Sequence, residues 1–164
     1  MIRKSYYFLV VVVLMGLDQL TKALIVRSIT LQGSREVIPG FFNLTHVRNR
    51  GAIFGFLSHS DSRILYIFLT LVSVAALGLV IYYFFKTPVS ERLMKISLSL
   101  ILAGAMGNLI DRLFRGHVID FLDFYVKDWH WPSFNVADSC ITVGAFLLIY
   151  ILIFKRGPEC TPSS

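Results

Sequence analysis

The chain has 164 residues, of which 55% are hydrophobic, and its 16 basic and 10 acidic side chains give a formal net charge of +6. The mean hydropathy is +0.68 and 16% of the residues are charged, against about a quarter in an average globular protein. These values argue against a cytosolic enzyme and a disordered chain. The basic residues form no stripe interleaved with aromatics, which argues against a nucleic-acid partner. We predict a single integral membrane domain over residues 1–164.

Four runs with little or no charge approach the roughly 20 helical residues that cross a bilayer. The predicted spans are about 6–26, 64–85, 93–112 and 136–154. Lys95 lies near one end of the third span, where we expect its ammonium to reach the lipid headgroups. The first run follows Arg3 and Lys4, as in a cleavable signal peptide. It continues through 18–22 without a small-residue cleavage site, so we predict a retained helix.

The connections between the spans, about 27–63 and 113–135, lie on the face opposite the termini. Basic residues are denser on the terminal side, which predicts cytoplasmic termini by the positive-inside rule. Residues 42–47 are rich in β-formers and predict short strands, whereas 48–51 predicts a turn and 52–57 is apolar enough to lie on the membrane surface. An irregular loop is the alternative. The predicted fold class is therefore an all-α membrane protein of four transmembrane helices with a small extracytoplasmic β-sheet and a short interfacial helix or loop.

The second connection is rich in large apolar side chains that suit a membrane interface. Its apolar members are Phe121, Leu122, Phe124, Tyr125, Trp129 and Trp131, and its charged members are Asp120, Asp123, Lys127 and Asp128. We expect both connections to lie against the membrane rather than to form a separate soluble domain.

Charged side chains inside the predicted spans call for a partner or a function, because a charge near the bilayer centre is costly. Asp18 and Lys22 stand four residues apart on the first span, where an acid and a base meet best. They predict either a pair that neutralises itself and fixes helix packing or a direct role toward substrate. In the third span, the small residues of 103–107 predict close helix packing. The polar residues that follow are Asn108, Asp111, Arg112 and Arg115. They form either an interfacial cap or part of a site.

Two further aspartates return to the same predicted boundary. The fourth span opens on Asn135, a candidate N-cap, and carries Asp138 in its first turn, where the helix dipole favours a carboxylate. Asp120 follows the third span. If the two carboxylates come within a few ångströms, they share a proton near neutrality. The ionised member can then take a proton from water while the other polarises a peptide carbonyl, which is aspartic-protease chemistry.

Short sequence motifs follow one another along nearly the whole length of the chain. They are DQLTK at 18–22, RNRGAIFG at 48–55, GAMGNLIDR at 104–112, GHVIDF at 116–121 and FNVADS at 134–139. The set resembles the lipoprotein signal peptidases (signal peptidase II) of bacteria. Ala103 stands where many members have glycine, and Ile119 stands where valine is common, but both keep the size class of the side chain.

The resemblance implies a four-helix intramembrane aspartic peptidase of the bacterial plasma membrane, without a cofactor. Its partners would be membrane lipids and prolipoproteins, cut just before a cysteine that carries diacylglycerol, and globomycin would block it. The resemblance makes Asp120 and Asp138 the catalytic pair. The supporting residues that it implies are Asp18, Lys22, Asn49, Gly51, Asn108, Arg112, Asn135 and Ala137. We expect a monomer that binds no nucleic acid.

Other functions remain as alternatives. Asp18, Lys22 and Asp138 are ionisable residues of the kind that serve a small ion- or proton-coupled transporter. A non-catalytic assembly subunit is a second alternative. A Ser/Lys peptidase is a third, for which the candidate residues are Ser133, Ser139, Lys22 and Lys127. The cysteines and histidines show no metal-ligand spacing, so we expect no metal site.

Overall fold

The computed structural model describes residues 4–50 and 63–154. The helices are α1 (Lys4–Ser28), α2 (Arg63–Lys86), α3 (Arg92–Arg115) and α4 (Val136–Phe154), and the strands are β1 (Ser34–Ile38), β2 (Phe42–Asn49), β3 (Val118–Val126) and β4 (Trp129–His130). All four helices contain apolar stretches long enough to cross a membrane. The predicted fold class of four transmembrane helices and a small β-sheet is confirmed. The predicted surface segment 52–57 lies outside the described residues.

Helix α3 is the centre of the bundle, because it packs against each of the other three helices. Glycines allow its close contact with α4. A Cβ on Gly104 would collide with the carbonyl oxygen of Ala137, and one on Gly144 would lie 2.7 Å from the Ile101 side chain. The predicted close packing at 103–107 is thus confirmed. Among the described elements, α2 packs against α3 alone.

The expectation that Lys95 reaches the headgroups is wrong. Only 3% of Lys95 is exposed, and its Nζ donates a hydrogen bond to the carbonyl oxygen of Phe84 and lies 4.4 Å from the centre of the Phe84 ring. The last carbonyls of a helix lack partners within the helix and carry its negative dipole end. The C-terminal turn of α2 therefore gives the ammonium a site inside the bundle.

The strands form one antiparallel sheet in the order β1, β2, β3, β4. The strand predicted at 42–47 is confirmed and is longer than expected. Arg48 and Asn49 pair with Ile119 and Val118 on β3, so the predicted turn at 48–51 is wrong for these two residues. Their pairing with β3 gives the backbone of this segment the partners that a turn would have provided.

Strand β3 corrects the interpretation of the second connection. Phe121 was expected at the membrane interface, but it is 4% exposed and packs with Ile25, Ile29 and Ile119 at the end of α1. This small apolar cluster fixes the sheet to the bundle. It also sets the position of the residue between Ile119 and Phe121, which is Asp120.

Candidate active site

Asp120 lies on β3 with two amide donors directed at its two oxygens. Asn49 Nδ2 donates to Oδ2 at 3.0 Å, and Asn135 Nδ2 donates to Oδ1 at 2.7 Å. Burial and the negative charge of nearby Asp138 raise the pKa of Asp120 to about 6, although both amide donors oppose the shift. Asp120 is therefore a buried carboxyl that changes its protonation state near neutral pH.

Asp138 lies in the first turn of α4, and its oxygens also have two donors. Asn108 Nδ2 donates to Oδ1 at 2.7 Å, and the backbone N–H of Asn135 donates to Oδ2 at 3.3 Å. Asn135 Oδ1 in turn accepts the backbone N–H of Asp138 at 2.9 Å, which confirms the predicted N-cap. Asn135 thus contacts both aspartates, through its backbone and its carbonyl oxygen on one side and its side-chain NH₂ on the other.

Lys22 is wholly buried and lies near both Asp120 and Asp138. Its Nζ is 2.8 Å from Asp18 Oδ2, 2.8 Å from Asp111 Oδ2 and 3.1 Å from Asn108 Oδ1. Each of the three ammonium protons therefore has an acceptor. The pair of Asp18 and Lys22 predicted from their spacing is confirmed, and Asp111 is a second carboxylate that the spacing did not reveal.

The two carboxylates on Lys22 each hold the backbone beside one of the two aspartates. Asp18 Oδ1 accepts the N–H of Ala137 at 2.9 Å, and Asp111 Oδ2 accepts the N–H of Ile119 at 3.3 Å. Ala137 directly precedes Asp138, and Ile119 directly precedes Asp120. Lys22 therefore fixes both backbone segments through two arms of similar construction.

Gln19 and Arg115 complete the polar cluster. Arg115 was predicted to belong to either an interfacial cap or a site, whereas no site role was predicted for Gln19. Arg115 forms an ion pair with Asp111 and donates to Gln19 Oε1 at 2.9 Å. Gln19 Nε2 lies 3.1 Å from Asp18 Oδ2 and 3.3 Å from Asp111 Oδ1. With Lys22 and Arg115 against Asp18 and Asp111, the cluster has two positive and two negative charges and no net charge. Gln19 adjoins Asp18 in the first motif, which was the available signal.

The remaining predicted site residues are Arg112, Ala137 and Gly51. Arg112 is half-buried on α3, and Ala137 contributes its backbone rather than its side chain. Gly51 lies outside the described residues. Within 4–50 and 63–154, no group of three or more histidine, cysteine, aspartate or glutamate side chains could hold a metal ion.

Gly107 provides a test of the packing around Asp18. A Cβ on Gly107 would lie 2.6 Å from Asp18 Oδ2, so Gly107→Ala must displace that carboxylate. We expect a loss of about 1–3 kcal/mol in unfolding free energy, measured by thermal and denaturant unfolding in detergent. Gly16→Ala is the matched control, because Gly16 is also helical and has nothing within 4 Å of its added Cβ. Equal stability of the two variants would contradict the expectation.

Known proteins are similar to this chain in sequence and in fold. The family model described as "Signal peptidase (SPase) II" matches residues 10–154. The "Lipoprotein signal peptidase" of Syntrophus aciditrophicus is 47% identical over 140 residues, covering 85% of this chain and 87% of the relative. The protein of the same description from Burkholderia thailandensis is 53% identical over 133 residues, 81% and 78% of the two chains. A solved bacterial membrane enzyme superposes with a TM-score of 0.80 at 34% identity, covering 98% of this chain and 94% of that one.

Proposed function

The chain belongs to the signal peptidase II family, and from this premise we propose how it cleaves its substrate. It is a bacterial multi-pass membrane protease that removes signal peptides from prolipoproteins. We propose that it is an aspartic endopeptidase whose catalytic pair is Asp120 and Asp138. The observation that carries the proposal is the asparagine bridge, in which Asn135 donates to both carboxyl groups, through its side-chain NH₂ to Asp120 and through its backbone N–H to Asp138.

The proposed reaction needs one ionised and one protonated carboxyl group. The ionised carboxylate takes a proton from water as the water oxygen attacks the scissile carbonyl carbon, and the protonated partner gives its proton to the carbonyl oxygen. The C–N bond of the resulting tetrahedral intermediate then breaks, and the departing amine takes a proton from the pair. The raised pKa of Asp120 supports this arrangement, because two neighbouring carboxyl groups that share one proton titrate as a unit.

The supporting residues have distinct proposed roles. Asn49 and Asn108 each orient one carboxyl group, Asn135 orients both, and Lys22 with Asp18 holds the backbone before Asp138. Arg112 at the end of α3 is proposed to stabilise polar or anionic groups of the substrate. Gly51 and the backbone of Ala137 complete the proposed set.

We propose that the substrate carries diacylglycerol on its cysteine and is cut just before that residue. Its acyl chains would anchor the scissile bond at the outer leaflet, where Asp120 and Asp138 would lie if both termini are cytoplasmic. The protein acts as a monomer of the plasma membrane in this proposal, and globomycin blocks the pair. Cysteine accessibility from each side of the membrane tests the orientation.

The decisive substrate test compares a diacylglyceryl prolipoprotein with its unmodified form. We expect cleavage of the first only, with a product mass that places the cut just before the lipid-modified cysteine. Equal cleavage of both forms would refute the proposed lipid requirement, and a cut elsewhere would refute the proposed bond.

Asn49 provides a pH test of the pair. Its hydrogen bond to Asp120 lowers the pKa of that carboxyl, so Asn49→Leu should raise the pKa further above its ordinary value. Activity that needs a proton on the pair is lost as the pH rises through this pKa. We therefore expect the alkaline limb of the kcat/KM profile to move to higher pH. Asn43→Leu is the control, because Asn43 donates to Asp123, outside the site, and an unmoved limb in Asn49→Leu would contradict the assignment.

The alternatives receive no comparable support. The family assignment gives none to the transporter or to the non-catalytic subunit. A Ser/Lys peptidase would need a lysine to activate a serine, but Lys22 already has three acceptors and the Ser139 hydroxyl donates to the carbonyl of Asn135 at 2.9 Å. Insensitivity to serine-directed acylating agents is the expected result.

A further inference from the structure

The ladder between β2 and β3 contains a β-bulge next to Asp120. The register shifts by one residue between Leu44 and Val47, so Thr45 and His46 together occupy the space of one residue on the partner strand. Both bulge residues are buried, with 9% of Thr45 and 4% of His46 exposed. A bulge of this kind redirects the side chains that follow it, and bulges are common next to active sites.

The bulge decides which side chain of β2 lies beside Asp120. In the observed register, Val47 pairs with Asp120, and Asn49, two residues further on the same face, donates to its Oδ2. If the register of the first half of β2 continued without the bulge, His46 would pair with Asp120 and Arg48 would take the place of Asn49. A slip of one residue exchanges the two faces of a strand. The bulge therefore selects a neutral amide over a guanidinium.

The native position of Arg48 agrees with this description. Arg48 is exposed. Burial of the His117 imidazole is the largest cause that lowers the pKa of His117, and the positive charge of Arg48 is the second. Arg48 pairs with Ile119, whereas its neighbour Val47 pairs with Asp120, so Arg48 lies on the face of β2 opposite Val47 and Asn49. A guanidinium beside Asp120 would stabilise its carboxylate and deprive the pair of its shared proton. The observed register thus keeps the Arg48 side chain on the face of β2 opposite Asn49, away from the Asp120 carboxyl group.

His46 is the residue that holds the bulge in place. Its Nδ1 lies 2.9 Å from the carbonyl oxygen of Ile29, just after α1, and must donate there because a carbonyl only accepts. Its backbone N–H donates to Gly33 at 3.1 Å, and its carbonyl accepts the N–H of Gln32 at 2.9 Å. Three bonds from one residue therefore fix the bulge to the connection between α1 and β1.

We propose that His46 is a positioning residue, which pins the β2 bulge so that Asn49 lies beside Asp120 and Arg48 does not. The proposal rests on the assignment of Asp120 to the catalytic pair. His46 touches neither carboxyl group in this scheme and acts only through the register of the strand.

Suppression by a second substitution separates this role from a merely structural one. We expect His46→Ala to lower kcat by about 10²-fold, because the slipped register places Arg48 beside Asp120, keeps that carboxyl ionised and so removes one proton-transfer group from the pair. Adding Arg48→Asn should restore much of the rate, because position 48 of the slipped strand then supplies the missing amide. Arg48→Asn alone should keep wild-type rates, and His46→Asn should keep them too, since its side-chain amide replaces the Nδ1 donor. A full rate in His46→Ala, or no rescue by Arg48→Asn, would overturn the proposal.

Disulfide trapping reads the register without any measurement of activity. In a background of Cys140→Ser and Cys160→Ser, the pair Asn49→Cys with Val118→Cys faces across the native ladder, and Arg48→Cys with Val118→Cys faces across the slipped one. We expect the first pair to cross-link in the presence of His46 and the second in His46→Ala. His46→Leu, which fills the buried space without a donor, is measured in parallel.

The two readouts distinguish failure of this proposal from failure of the catalytic assignment. Native cross-linking that persists in both His46 variants overturns the role of His46. If cross-linking is as expected but Asp120→Asn is active, Asp120 is not catalytic. His46 then still sets the strand register, but that register has no role in catalysis.

Discussion

Asp120→Asn and Asp138→Asn should each lower the rate of prolipoprotein cleavage by about 10²–10⁴-fold or more. Asparagine has the shape of aspartate but can neither take a proton from water nor give one to the scissile carbonyl. Initial rates with a diacylglyceryl prolipoprotein, read by product mass, measure the effect. Both variants should remain in the membrane, because the single amide oxygen can still accept one of the two hydrogen bonds that each carboxyl group receives.

Asp123→Asn is the matched control for both substitutions. Asp123 is a buried carboxyl on the same strand as Asp120, and it bonds to Asn43 and His130 rather than to the candidate site. We expect near wild-type cleavage in this variant. A wild-type rate in Asp120→Asn or in Asp138→Asn would remove that residue from the catalytic pair.

Lys22→Met should be the most destabilising substitution in the cluster. It leaves Asp18 and Asp111 buried without their common cation, and breaking a buried ion pair by removing one partner costs about 3–5 kcal/mol. Cleavage should also fall, because the two carboxylates that hold the N–H groups of Ala137 and Ile119 lose their anchor. Unfolding free energy in detergent and the cleavage rate are measured together.

A second substitution tests whether charge balance is the cause. In Asp18→Asn with Lys22→Met, the remaining Asp111 is balanced by Arg115, and the side-chain oxygen at position 18 can still accept the N–H of Ala137. We expect the double variant to be more stable than Lys22→Met alone. If the two substitutions instead destabilise additively, the residues do not act as a charge-balanced unit.

Local spacing predicted the contacts that lie within one element. Asp18 and Lys22 are one helical turn apart, and Asn135 precedes α4 by one residue, so a helical periodicity was enough for both. The second carboxylate of Lys22, Asp111, comes from α3, and no spacing within either helix indicates it. The same holds for Lys95, whose acceptor is the last turn of α2. Such contacts depend on how helices pack, which the sequence pattern does not express.

Strand β3 escaped prediction for a different reason. A half-buried strand alternates apolar and polar residues, whereas Val118, Ile119, Asp120 and Phe121 are all buried. Because both faces of β3 are covered at this end, its sequence lacks the alternation of apolar and polar residues that indicates a strand. The aromatic residues instead favoured the prediction of a membrane-interface segment. The bulge at Thr45 and His46 was equally hidden, since a register is a property of two strands and not of one.

The claim that Asp120 and Asp138 share one proton is tested most directly by infrared titration of the purified protein around pH 6. We expect a protonated-carboxyl band that is lost as the pH rises past about 6, the pKa of Asp120, and that is removed or displaced by Asp120→Asn and altered by Asp138→Asn. A band that is unchanged in both variants, or two carboxyl groups that ionise independently at ordinary aspartate values, would contradict the shared proton.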